Sequence, residues 1–148
     1  MTHQNASKTL NILLWIAQLL LGIMFLFGGI TNTFQPIEKI AATMNWVNEV
    51  PHWLVRFIGI AQILGGIGLI LPSILRIKPQ LTVWAAMGLF LQLICAVIFH
   101  ISIKETSMIG IPLLFAAITF FIAWGRWKKV PVKSRNAIVS EKIQLWSL

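Results

Sequence analysis

The fold is decided by an apolar stretch near the start of the chain, LNILLWIAQLLLGIMFLFGGITNTF, which runs from Leu10 to Phe34. A helix of about 20 residues already crosses the roughly 30 Å hydrocarbon core of a bilayer. Three further apolar runs follow, at residues 53–75, 81–103 and 108–127. Inside lipid each segment must satisfy its own backbone amides, so each run is predicted to be helical. The sequence therefore predicts an all-α membrane protein, an antiparallel bundle of four transmembrane helices.

The composition leaves no room for a soluble domain. Hydrophobic residues make up 57% of the 148-residue chain and charged residues only 11%, far from the balance of an average globular protein. We predict one transmembrane domain over residues 1–127 and a basic tail at 128–148, either disordered or a weak surface helix. The net charge of +8 is concentrated beside the last span, which favours contact with anionic lipid over nucleic acid.

The distribution of basic residues predicts the orientation in the membrane. If the N-terminus lies inside, nine Lys and Arg residues fall on that side and three on the other. The positive-inside rule then favours both termini in the cytoplasm. The nine inner residues are Lys8, Arg76, Lys78, Arg126, Lys128, Lys129, Lys133, Arg135 and Lys142, and the three outer ones are Lys39, Arg56 and Lys104.

The link between the first two spans, residues 35–52, differs from the short links elsewhere in the chain. Pro36 suits a first helical turn, and apolar residues recur at helical spacing from Ile37 to Val47. We predict a short amphipathic helix that lies on the outer surface or caps the bundle. An irregular loop with chance periodicity is the alternative.

Polar residues inside the spans are the first candidates for function, because they are costly in lipid. In span two, Gly59, Gln62 and Gly66 share one helical face, and Arg56 lies on the adjoining side. A ligand contact is one interpretation of this face. The other is close helix packing at the glycines, with a hydrogen bond from Gln62 across the contact.

Span three adds Gln92 and His100, and Asn32 lies near the outer end of span one. Since Arg56 and His100 both lie toward the outer side, we predict an outward-facing cavity with Arg56, Gln62, His100, Asn32 and Gln92 as ligand-binding residues. The alternative for Arg56 is snorkelling to lipid head groups, or pairing with Glu49 or Glu105.

The sequence contains no set of residues typical of an active site. The chain has no Asp, one cysteine (Cys95) and three His, so acid-dependent triads and thiol–disulfide exchange are not indicated. His100 has no His or acidic neighbour three or four residues away, which leaves no metal motif. We predict no catalytic residues, no metal and no resident cofactor.

Several segments resemble the DoxX-like family of small four-helix membrane proteins. They are Phe25–Ile30, Pro36–Lys39, Phe99–His100, Ala123–Trp127 and above all the block VRFIGIAQILGGIGLILP from Val55 to Pro72. The resemblance covers roughly residues 10–127. It implies a bacterial inner-membrane protein and an association with quinone-linked redox assemblies.

Two positions depart from the family pattern. The family commonly has an acidic residue where this chain has Gln62, and often a Lys where it has Asn32. A neutral hydrogen bond between Asn32 and Gln62 is expected in place of a buried charge pair, so the resemblance does not predict proton or ion coupling through these positions.

Three functions follow as hypotheses. The first is an accessory membrane subunit that binds a small apolar molecule, a quinone or a lipid in the outward cavity. The second is a non-catalytic assembly or chaperone-like partner of another membrane protein, or a homo-oligomer. The third is a small transporter. An enzyme acting alone is not indicated; any catalytic role would be as part of a membrane oxidoreductase complex.

Overall fold

The computed structural model describes residues 2–148, in which all regular secondary structure is helical and short turns join the helices. Four helical segments are long and apolar enough to cross a membrane, which confirms the predicted fold class. They are His3–Phe34, His52–Leu75, Gln80–Ser102 and Thr106–Lys129, the last of which joins the helix Gly110–Trp124 to the turns on either side of it. The helices are α1 (Thr2–Phe34), α2 (Ile37–Thr43), α3 (His52–Leu75), α4 (Gln80–Ser102), α5 (Gly110–Trp124) and α6 (Arg135–Trp146). A π-helical turn, Gly125–Lys129, continues α5, and 3-10 turns occupy Asn45–Glu49 and Thr106–Met108.

The contact between α1 and α3 is the closest in the bundle. A Cβ atom on Gly59 would lie 2.9 Å from the carbonyl oxygen of Gly29, and one on Gly66 would lie 2.8 Å from that of Gly22. Only glycine lets the two backbones approach this far. The seven-residue spacing on both helices is typical of left-handed packing at about 20°. The packing interpretation of the span-two glycines is therefore confirmed.

The centre of the bundle is filled by apolar side chains from all four long helices. Phe25 of α1 meets Phe115 of α5 edge to face, with 6.0 Å between the ring centroids. Most large apolar side chains instead point outward, as they must if lipid surrounds the protein. The buried apolar core of the four-helix bundle comprises Leu21, Phe25, Leu69, Ala86, Leu89, Leu93, Ala116, Ile122 and Ala123.

The link between α1 and α3 folds onto the end of the bundle. Ile40 of α2 and Val47 of the following 3-10 turn are buried together with Val55, the start of α3. Glu38 and Lys39 on α2 remain exposed. The side of the membrane on which this link lies stays a prediction.

The tail contains a helix. Its first residue follows Ser134, whose hydroxyl accepts a hydrogen bond from the backbone N–H of Ala137 and so caps α6. The backbone N–H of Arg135 donates to the carbonyl of Arg76 at 2.9 Å. This bond ties the start of α6 to the turn between α3 and α4.

Candidate functional site

Asn32, Gln62 and Arg56 come together where α1 and α3 meet, and we refer to them as the Asn32 cluster. Asn32 donates through Nδ2 to Oε1 of Gln62 at 3.1 Å. Arg56 donates through Nη1 to the carbonyl of Asn32 at 2.9 Å. That carbonyl lies in the last turn of α1, where helix geometry leaves it without a backbone partner. The expected Asn32–Gln62 hydrogen bond is confirmed, and Arg56 bonds to α1 instead of pairing with Glu49 or Glu105.

The Asn32 cluster has unused hydrogen-bonding capacity. Among the described residues, Asn32 Oδ1 and Thr33 Oγ1 are buried without a partner. Asn32 itself is only 5% exposed. A buried polar atom of this kind costs free energy until something bonds to it. The cluster is therefore chemically suited to a ligand that donates a hydrogen bond.

Gln92 and His100 lie on α4, and both are half-buried. His100 places Nδ1 3.4 Å from Oε2 of Glu105. Within residues 2–148, no hydrogen bond connects either side chain to the Asn32 cluster. The common pocket for His100 and Arg56 stays a prediction.

A second polar cluster, at the opposite end of the bundle, was not predicted. It is centred on Arg126, which the sequence placed with the basic residues flanking the last span and which the structure buries to 3% exposure. Its guanidinium donates through Nε to Oε1 of Gln18, and through Nη1 to Oδ1 of Asn11 at 2.7 Å and to the carbonyl of Val130 at 3.2 Å. The ring of Trp15 lies 5.1 Å below the guanidinium carbon, a cation–π distance.

Hydrogen bonds extend from Arg126 through Gln18 to α3 and α4. Gln18 donates through Nε2 to the carbonyl of Leu69 at 2.7 Å and to Oγ of Ser73 at 3.3 Å. Ser73 and Thr82 share a hydrogen bond of 2.8 Å between their hydroxyls. The chain of bonds therefore joins all four long helices, and we call Asn11, Gln18, Ser73, Thr82 and Arg126 the Arg126 cluster.

Local backbone geometry brings Arg126 inward. A Cβ atom at Gly125 would lie 2.6 Å from Cδ2 of Leu14, so glycine is needed for the end of α5 to approach α1. The N–H of Val130 bonds to the carbonyl of Gly125 at 2.8 Å, the five-residue step of a π turn. A π turn holds one residue more than an α turn and so changes the direction of the side chains within it.

Two cavities flank Arg126. The larger has a volume of about 740 Å³, and its walls include Leu81, Trp84, Met87 and Trp127, with Lys78 also present. The smaller, of about 250 Å³, is lined by Asn11, Arg76 and Lys133 among others. Arg126 lines both cavities, whereas Asn32, Gln62, Arg56, Gln92 and His100 line neither.

The sequence did contain a sign of the Arg126 cluster. Gln18 is a polar residue in the first half of the first apolar run, and an amide in lipid needs a partner at its own depth. In a four-span bundle the start of span one and the end of span four lie at the same face. Arg126 was therefore in a position to pair with Gln18.

Comparison with known proteins agrees with the architecture. The model of the DoxX-like family matches residues 16–122, which is most of the chain and includes α3 and α4 in full. No curated protein and no solved structure matches the chain. The family match and the four apolar helices lead to one conclusion: this chain is an integral membrane protein that belongs to the DoxX-like family.

Proposed function

We propose that the protein is an accessory subunit of a membrane assembly and binds a small apolar molecule, a quinone or a lipid, at the Asn32 cluster. The observation that carries this proposal is the buried Oδ1 of Asn32, which has no partner among the described residues. It lies beside Gln62 and Arg56, which contribute further polar atoms to the same place.

The chemistry of the Asn32 cluster favours a ligand with hydroxyl or carbonyl oxygens on an apolar frame. Oδ1 of Asn32 accepts a hydrogen bond, and Arg56 uses one of its five N–H donors in the described contact with α1. A quinone accepts from such donors, and its reduced form also donates to such an acceptor.

Measuring what the protein retains on purification tests this proposal. The wild-type protein, Arg56→Ala and Asn32→Leu would be extracted in mild detergent, and bound quinone and lipid quantified by mass spectrometry. We expect a retained species in the wild type and its loss in both variants. Lys39→Ala, an exposed basic position on α2, is the matched control and should retain it. Equal amounts in all four proteins would refute the proposal.

A second candidate, assembly with another membrane helix, is favoured by one face of α4. A Cβ atom on Gly88 would meet nothing within 4 Å, unlike the glycines that pack α1 on α3. Gln92 and the exposed Cys95 follow on the same face, one and two turns later. A second copy of the chain offers the same face, and two Gln92 amides would bond to each other.

Cys95 makes this second candidate testable, because it is the only cysteine of the chain. Mild oxidation of the protein in membranes should give a disulfide-linked dimer of the wild type. Gly88→Leu should abolish the dimer by blocking the face. A wild-type protein that stays monomeric under oxidation would contradict the assembly role.

The proposed location is the bacterial inner membrane, with both termini in the cytoplasm. The support is the excess of basic residues on the side that carries α6. Alkaline phosphatase fused after residue 148 should be inactive, whereas the same enzyme inserted after Thr43 should be active. The reverse pattern would overturn the orientation.

A further inference from the structure

Arg126 carries a positive charge that no acidic side chain balances. Its three described hydrogen bonds all go to neutral acceptors, and its Nη2 is buried without a partner. Within residues 2–148, acidic side chains lie within 4 Å of a basic side chain at two places, Glu105 beside His100 and Glu141 beside Lys133. A buried, unbalanced cation at membrane depth is costly and marks a functional site.

The surroundings of Arg126 add more positive charge. Arg76 lines the smaller cavity and Lys78 the larger, and no acidic residue lines either one. Lys133 also lines the smaller cavity, but Glu141 already pairs with it at 2.8 Å. Arg126 lines both cavities, Arg76 the smaller and Lys78 the larger, and none of the three forms an ion pair with an acidic side chain within residues 2–148.

The larger cavity supplies an apolar wall beside these cations. Leu81, Val83, Trp84 and Met87 of α4 line it, together with Trp127. Trp84 and Trp127 are each more than half exposed, as is common for Trp at the level of lipid head groups. The ligand that matches both features has an anionic group at one end and a hydrocarbon chain at the other.

We propose that this end of the bundle is a specific site for an acidic phospholipid. The phosphate lies among Arg126, Arg76 and Lys78, and one acyl chain follows the α4 wall of the larger cavity. Basic pockets between transmembrane helices are suited to such head groups. The site is separate from the Asn32 cluster, which lies at the other end of the bundle and lines neither cavity.

The test compares lipids that differ in charge. The full-length protein would be purified with equal amounts of phosphatidylglycerol and phosphatidylcholine, and bound lipid counted by native mass spectrometry. We expect phosphatidylglycerol to be retained in preference. Arg76→Asn and Lys78→Asn should each weaken this preference about fivefold, the effect of one basic residue near a lipid surface. Arg126→Gln should remove it.

The chain provides a matched control. Arg76, Lys78 and Lys104 all have left-handed backbones, with φ of 54°, 46° and 61°, a conformation that Asn tolerates well. Lys104 lines neither cavity, so Lys104→Asn should keep the wild-type preference.

Several results would overturn the proposal. One is equal retention of the two lipids by the wild type, and another is equal loss in Lys78→Asn and Lys104→Asn. Displacement of phosphatidylglycerol by millimolar inorganic phosphate would show a site for the free anion instead of the lipid. Since Arg76→Asn and Lys78→Asn change exposed side chains, the test does not depend on the folding of Arg126→Gln.

Discussion

Gln18 accepts a hydrogen bond from Nε of Arg126, a residue 108 positions later in the chain. The same Gln18 amide donates to the carbonyl of Leu69 at 2.7 Å. One glutamine therefore connects the first, second and fourth spans, and its side chain is fully buried. Such a contact stabilises the bundle mainly because losing it leaves buried groups unpaired.

Gln18→Leu should destabilise the bundle by about 2–3 kcal/mol, because it leaves the charged Nε donor of Arg126 buried without an acceptor. Thermal unfolding in detergent, followed by loss of helical circular dichroism, would measure this. Gln144→Leu on the exposed face of α6 is the control and should have little effect. Equal stability of the two variants would show that Gln18 is not structurally important.

Gly59→Leu should force α1 and α3 apart. Even a Cβ atom there would lie 2.5 Å from Thr33 Oγ1 and 2.9 Å from the Gly29 carbonyl. Overpacking of this kind costs about 1–3 kcal/mol, so the melting temperature should fall. Gly88→Ala meets no neighbour and should be neutral or slightly stabilising, since Ala has the higher helix propensity. A Gly59→Leu protein as stable as Gly88→Ala would contradict the packing described for this contact.

The Asn32–Gln62 hydrogen bond should contribute modestly to stability. Interhelical bonds in membranes average about 0.6 kcal/mol in double-mutant cycles. We expect a coupling of that size between Asn32→Leu and Gln62→Leu, measured by unfolding in mixed micelles. Coupling indistinguishable from zero would mean that the 3.1 Å contact adds nothing to stability, and would leave both side chains free for a ligand.

The pairing of Lys133 with Glu141 should be visible in a titration. A hydrogen bond from Lys133, aided by its charge, lowers the pKa of Glu141. The folded form therefore binds a proton less readily than the unfolded form. The pair stabilises α6 above the unfolded pKa, and this contribution is lost as the pH falls through the folded pKa.

Carboxyl ¹³C NMR would follow Glu141 directly. Lys133→Gln should raise its titration midpoint toward the ordinary value for Glu, and Lys128→Gln, at an exposed position that does not pair with Glu141, should leave the midpoint unchanged. An unchanged midpoint in Lys133→Gln would show that the pair does not form in solution.

The fold was predictable because bilayer thickness limits the length of an apolar helix. Spans two and three begin and end within one residue of the predicted bounds, at His52–Leu75 and Gln80–Ser102. The first helix begins at Thr2 instead of Leu10. Hydropathy marks only the apolar part of a helix, so it does not reveal the polar first turns. Pro72 lies inside α3, which runs on to Leu75.

The Asn32 cluster and the Arg126 cluster were less predictable than the fold, because each depends on side chains from different spans. The Asn32–Gln62 contact was expected from the two positions at which the chain departs from the family pattern. Arg126 was misinterpreted as a flanking residue because hydropathy does not reveal a π turn. Only the packing of Gly125 against Leu14 shows why the guanidinium enters the bundle instead of reaching the head groups.

The glycine-lined contact between α1 and α3 has a consequence for biogenesis. Only α2 and a 3-10 turn separate these two helices in the chain. We therefore expect them to pack together as a hairpin before the ribosome has completed α4. The hydrogen bonds from Gln18 to Leu69 and Ser73 involve only these two helices. The bond from Arg126 to Gln18 also needs the fourth span, so we expect that span to dock last during insertion.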